Sequence, residues 1–159
     1  MRVHHLNSGT MCPLPRRLIN GDGGLLEAGR MVCHVWAIEG PDGLVLVDTG
    51  IGRDAMEAPW AHLGPVMLGV ARPRLDPTET VVAQLAGLGF SAADVSDIVL
   101  THLDSDHAGA LADFPQARVH VHGTELDAAL SPASRERLRY RSAIWAHGPR
   151  WVRHAVAGD

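Results

Sequence analysis

The sequence predicts an α/β fold. Three observations carry this. Strand-like runs alternate with helix-like runs along most of the chain, which is the signature of a sheet with helical connections. Two apolar strand runs, "LVLVDTG" (44–50) and "DIVLT" (97–101), each end on a chemically active residue, Asp48 and His102. Ligand sites in such sheets lie at the C-terminal strand ends. Finally, 159 residues are enough for one domain with a sizeable core.

Taken in order, "MVCHVWAIEG" (31–40) is rich in β-branched and aromatic residues and reads as a strand. "PDG" (41–43) marks a turn, so 44–50 is the second strand of a hairpin. That strand is apolar at successive positions and is expected to be buried between layers. Residues 52–75 contain Pro59, Pro65, Pro73 and several glycines. They read as a long irregular loop of the kind that is usually functional. "DPTETVVAQLAGLG" (76–89) is a helix: Asp76 caps it, Pro77 suits the first turn, Glu79 completes a capping box, and Gly89 stops it. Val81, Leu85 and Leu88 share its apolar face. "SAAD" (91–94) repeats the box pattern for a short turn. After the strand at 97–101, "GALADF" (109–114) reads as helical, "ARVHVH" (117–122) as a strand, and "GTELDAAL" and "SPASRERLRYR" as further helices.

Composition excludes several classes. A net charge of −4 argues against a nucleic-acid or membrane-surface binder. All 14 basic residues are Arg, and the run "SRERLRYR" (134–141) reads as a solvated helix face. No stretch approaches the ~20 apolar residues of a membrane span. The start has no apolar core of signal-peptide length. Cys12 and Cys33 read as reduced thiols. The expected location is the cytoplasm.

The densest chemistry lies in "THLDSDHAG" (101–109), where His102, Asp104, Asp106 and His107 fall within six positions. Neutral imidazoles and ionised carboxylates are the donors a divalent ion needs. Asp104 and Asp106 repel each other unless a cation lies between them. The same short pattern also suits a plain helix cap, with Asp104 or Ser105 in front of 106–112. Asp48 bears on the choice, because a carboxylate at the end of a buried strand needs a hydrogen-bond partner or a metal ligand nearby.

The pair "LVLVDTG" and "THLDSDHAG" resembles the metallo-β-lactamase superfamily of metallo-hydrolases, on the lactonase and glyoxalase II side. "HHLNSGTMCP", "VCHVWAIEGPDGLVLVDTG" and "RPRLDP" fit the same branch. The resemblance implies the N-terminal part of an αββα sandwich. By position in the motif it makes His102 and Asp104 ligands of a first metal, and Asp106 and His107 ligands of a second. Asp48 would orient the ligands from behind. It implies a metal-bound hydroxide attacking an ester, lactone or thioester carbonyl of a small-molecule substrate, with Asp106 also passing a proton to the leaving group. The 52–75 segment, with Trp60, Met67 and Leu68, would shape an apolar pocket.

Two departures qualify the match. Asp104 stands where the family usually has His, which hardens the site and makes manganese or iron possible beside zinc, the leading expectation. The chain also ends before the family's later His-containing stretch and bridging Asp, so residues 1–159 read as a single, incomplete domain. His120, His122, His147 and His154 are the histidines that follow the motif, and Asp159 is terminal. The expected activity of this short chain is therefore weak or nil, with an exposed sheet face that promotes self-association. The competing reading is a non-catalytic fragment or pseudoenzyme domain that keeps the fold without hydrolysis. No G-x-S-x-G elbow offers a serine nucleophile instead.

Overall fold

A computed structural model describes residues 1–155. Six strands form one mixed sheet in sequence order: β1 (Val3–Met11), β2 (Met31–Gly40), β3 (Gly43–Val47), β4 (Val95–Val99), β5 (Arg118–His122) and β6 (Arg150–His154). The first three pair antiparallel. From β3 onward neighbours are parallel, and the crossovers carry the helices. The β2–β3 hairpin closes with Gly40 opposite Gly43, around the expected turn.

One face of the sheet carries the core. Val35, Leu46, Ile98 and Val119 point inward, onto Val81 and Leu85 of α5 (Val81–Gly87) and Leu126 and Ala129 of α6 (Gly123–Leu130). The strand β3 is not buried on both sides: Leu44 and Leu46 are buried, while Val45 and Val47 are only half covered. On that other face Trp36 and Val99 are 43% and 41% exposed. The apolar alternate residues belong to a face that no described residue covers.

Several elements differ from the sequence reading. β1 and β6 were not anticipated. β1 mixes His, Asn, Ser and Thr with few apolar residues, and β6 is an edge strand with two arginines, so neither shows strong patterning. Residues 52–75 are not irregular. After α1 (Arg16–Asn20) they supply α2 (Asp54–Glu57), α3 (Pro59–His62), α4 (Gly64–Val66) and a π-helical turn, Met67–Ala71. Pro59 and Pro65 sit in the first turns of α3 and α4, where a missing N–H costs nothing. The 76–89 helix is split. Asp76 caps only a 3-10 turn, Pro77–Glu79, and Thr80 caps α5 in its place. Glu79 leaves the expected box and accepts from Thr10 Oγ1 at 2.9 Å. The Ser91–Asp94 box forms as expected. The 109–114 segment keeps only a 3-10 turn, Leu111–Asp113, and residues 134–139 form successive turns rather than a helix.

Asp97 on β4 ties that strand to β5 through two side chains. Its carboxylate accepts from Arg118 Nε and Nη2 at 2.8 and 2.9 Å, and it meets His120 Nε2 at 2.8 Å. The Arg118 guanidinium holds its carboxyl well below the ordinary carboxylate range. A depressed pKa contributes stability above the unfolded value, about 3.9, and loses it as pH falls toward the folded one. Wild type should therefore lose stability steadily on acidification, and Asp97→Asn should show a shallower acid limb in denaturation curves. Superimposable curves would show that the pair contributes nothing.

Candidate metal centre

The sequence-predicted residues meet at the C-terminal ends of β3 and β4. Asp48 is 5% exposed and has φ 58°, a left-handed conformation that Asp adopts more readily than most residues. That turn lets the 48–50 backbone run beside the motif. Thr49 N donates to His107 O at 2.7 Å, Thr49 Oγ1 to the same oxygen at 2.9 Å, and Asp48 N to Val99 O at 2.9 Å. Ala108 bridges to Gly50. Two distant pieces of sequence are thus fixed as one unit.

Asp48 saturates its carboxylate here. Oδ1 accepts from Thr101 N at 2.8 Å, and Oδ2 lies 2.8 Å from Thr101 Oγ1 and 2.8 Å from His107 Nδ1. A carboxylate only accepts, so the His107 proton sits on Nδ1 and its Nε2 lone pair faces away. His102 follows the same logic one step removed. Its Nδ1 lies 2.9 Å from Thr101 Oγ1, whose own proton goes to Asp48, so Nδ1 donates and Nε2 is left as an acceptor. One buried carboxylate therefore sets both tautomers. Burial opposes protonation of His107, but the Asp48 hydrogen bond and the charges of Asp106, Asp48 and Asp104 outweigh it and raise its pKa. A proton thus competes with any cation for that ring.

The two free Nε2 atoms each face a carboxylate. His102 Nε2 lies 3.5 Å from Asp104 Oδ2, and His107 Nε2 lies 3.5 Å from Asp106 Oδ2. The imidazole centroids are 3.9 Å apart. The donors form two nitrogen–oxygen pairs side by side. Among the described residues no three His, Cys, Asp or Glu side chains gather closely enough to enclose an ion.

Sequence reasoning missed the network behind Asp104. Arg139 Nε donates to Asp104 Oδ1, which leaves Oδ2 as the oxygen beside His102. Arg139 Nη1 reaches Tyr140 Oη at 2.9 Å and Nη2 reaches Glu125 Oε1 at 3.3 Å. Tyr140 donates to Glu125 Oε2 at 3.1 Å, and Glu125 also accepts from the Leu103 backbone N–H at 2.8 Å. Burial among these acids pushes the Tyr140 hydroxyl up to about 12. The arginine run read as a solvated helix face therefore sends one arginine into the site. Nothing in the sequence singles out Arg139 among the four arginines of that run.

The remaining candidates lie elsewhere. His120 and His154 touch each other at 2.9 Å on the open sheet face, and His120 binds Asp97. His122 meets Thr124. His147 is exposed, though desolvation of its ring still lowers its pKa. Asp159 lies outside the described residues. Of the proposed pocket residues, Met67 lines a cavity next to Asp104. Trp60 is exposed, and Leu68 packs on Met11, Cys33, Ile51, Ala55 and Leu63.

A profile of the metallo-beta-lactamase superfamily matches residues 28–156. The chain belongs to this superfamily. A probable metallo-hydrolase of Mycobacterium tuberculosis is 44% identical over 161 aligned residues, covering 100% of this chain and 47% of its own length. The N-acyl homoserine lactonase AttM of Agrobacterium fabrum is 33% identical over 134 residues, 83% of this chain and 49% of its own. Among solved structures, a mutant of AiiA from Bacillus thuringiensis with N-decanoyl-L-homoserine bound at its active site superposes with TM-score 0.72 at 23% identity. That match covers 98% of this chain and 62% of the other. AidC, a dizinc quorum-quenching lactonase, gives 0.66 at 17% identity, covering 99% and 58%. The chain spans about half the length of the curated relatives it matches. The sheet with helices on one face is thus part of a metallo-β-lactamase fold. No helix among the described residues is long and apolar enough to cross a membrane.

Proposed function

We propose that this chain carries the first part of the active site of a metal-dependent hydrolase acting on an ester, lactone or thioester. The observation that carries the reading is the Asp48 carboxylate. It sets two histidine tautomers so that both Nε2 lone pairs face outward beside Asp104 and Asp106. Such an orienting partner is what metal-ligating histidines need. His102 and Asp104 would hold one divalent ion, and Asp106 and His107 a second. Zinc suits the imidazoles, while the carboxylate at 104 also admits manganese or iron. When bound, the ion supplies Lewis-acid polarisation of the carbonyl and a low-pKa water.

The chain's own residues do the rest. Asp48 holds the ring protons of the two histidines, directly for His107 and through Thr101 for His102, so neither Nε2 is blocked. Arg139 holds Asp104 by one oxygen and leaves the other free. Asp106 would take a proton and return it to the leaving oxygen or sulfur. The substrate is a small molecule. Two free cysteines support a cytoplasmic setting, and burial pushes the Cys33 thiol up to about 12, which makes it inert. The open sheet face with Trp36 and Val99 supports self-association of residues 1–159.

The test is a hydrolysis panel of lactones and thioesters with added zinc or manganese, run beside metal titration and a sizing column. Residues 1–159 supply two donors per ion, against the three protein ligands usual for catalytic zinc. Alone they should bind metal weakly, turn over nothing above background and associate. A chain that also supplies the remaining donors should show metal-dependent turnover that Asp106→Asn abolishes. Turnover that survives both chelation and Asp106→Asn would sink the reading. A well-behaved monomer of residues 1–159 with metal-dependent turnover would recruit His120, His122, His147 or His154 as missing ligands.

A further inference from the structure

Beside Asp104 lies a cavity of about 350 Å³, at the small end of small-molecule sites. Leu63, Val66, Met67, Val70 and Leu138 make its apolar walls. Three of these are unusually open for aliphatic residues: Val66 is 50% exposed, Val70 66% and Leu138 59%. Two arginines reach the same space, Arg135 and Arg139. Arg139 is already matched, by Asp104 and Glu125. Arg135 is exposed and has no hydrogen-bond or ion-pair partner among the described residues, and among those residues the only carboxylate lining the cavity is the engaged Asp104.

The wall is also built at a cost. Met67–Ala71 is a π-helical turn, a rare form that is frequent at functional sites. It is followed by two non-glycine residues in the left-handed region, Arg72 at φ 54° and Leu75 at φ 52°. Such strain persists where surrounding structure holds it, and it clusters at binding sites. Met67 lines the cavity while also packing on the core cluster of Met11, Cys33, Ile51, Ala55 and Leu63, and the exposed Val66 and Val70 share the cavity with the two arginines.

The geometry points to a binding site for an amphiphilic anion: a short aliphatic chain lies along Val66, Met67, Val70 and Leu138, and its carboxylate or comparable anionic group is held by Arg135. An unpaired guanidinium beside an apolar slot recognises that combination, since the chain covers the open aliphatic surface while the anion supplies the missing charge partner. For the hydrolase proposed above this makes the substrate an acyl compound bearing an acidic group. That last step rests on the hydrolytic reading, whereas the binding itself does not.

The experiment measures binding of octanoate and of 1-octanol to residues 1–159 by calorimetry, with chelator present so that neither metal nor turnover contributes. Octanoate should bind about ten-fold more tightly than the alcohol, the worth of one charge-assisted hydrogen bond at a partly open site. Arg135→Gln should erase that preference and leave octanol binding unchanged. Val66→Asp, at an exposed position, should weaken both ligands. Equal affinity of wild type for the two probes, or no binding of either, would overturn the proposal. So would an anion preference that survives Arg135→Gln, or probes that ignore Val66→Asp and therefore sit elsewhere. A chain that passes this test but supports no hydrolysis when the remaining metal donors are supplied would refute the catalytic reading alone.

Discussion

Asp48→Asn should weaken divalent-metal binding by roughly 10- to 100-fold, the range expected for an outer-shell partner of a histidine ligand, while leaving the fold intact. The left-handed backbone at residue 48 does not oppose the change, because Asn is tolerated there. The new side chain still presents an oxygen to the Thr101 N–H, which donates at 2.8 Å in the wild type. That places the amide NH₂ where Oδ2 now sits, 2.8 Å from His107 Nδ1. Two donors then face each other, and the ring relieves the conflict by moving its proton to Nε2. A protonated Nε2 cannot ligate. The expected result is weak zinc retention by equilibrium dialysis with near-wild-type thermal stability, and a changed His107 tautomer by nitrogen NMR. If the variant keeps both wild-type affinity and tautomer, Asp48 does not orient the site.

Gly109→Ala should be the most disruptive small substitution in the motif, costing about 3 kcal/mol of stability, at the upper end for overpacking against backbone. A Cβ there would stand 2.4 Å from Ser105 O and 2.7 Å from Gly50 O. Neither atom is the far end of a flexible side chain. Relief requires the 105–109 loop to part from the 48–50 turn, which breaks the hydrogen bonds from Thr49 N and Gly50 N to His107 O. Denaturant unfolding checks the cost. Gly69→Ala serves as the control, because a Cβ at Gly69 meets nothing within 4 Å. Equal stability of the two variants would mean that the loop is loosely held.

Legibility in the sequence followed the range of the interactions involved. The hairpin, α6 and the Ser91–Asp94 box rest on neighbours within a few residues, and they formed where patterning placed them. The 76–89 helix began late because Glu79, free in a local reading to close its own cap, was claimed by Thr10 across the fold. Residues 134–139 have the composition of a helix, yet they are turns. Arg139, Tyr140 and Arg141 are drawn to Asp104, Glu125 and the carbonyls of Trp60 and Ala61. β6 shows little strand patterning because an edge position needs only one neighbour to accept it.

By itself the sequence determined the α/β class, the superfamily and the four clustered donors with Asp48 behind them. These are properties of short contiguous motifs whose residue types and spacing are bound by the turn geometry they must adopt. Only the tertiary structure decided which proton each histidine keeps, which oxygen of Asp104 is free, and that Arg139, Glu125 and Tyr140 stand behind it. Those outcomes depend on hydrogen bonds between residues up to 59 positions apart, such as His107 with Asp48. A hydrogen bond is a matter of a few tenths of an ångström and a donor's direction. Spacing along the chain carries neither.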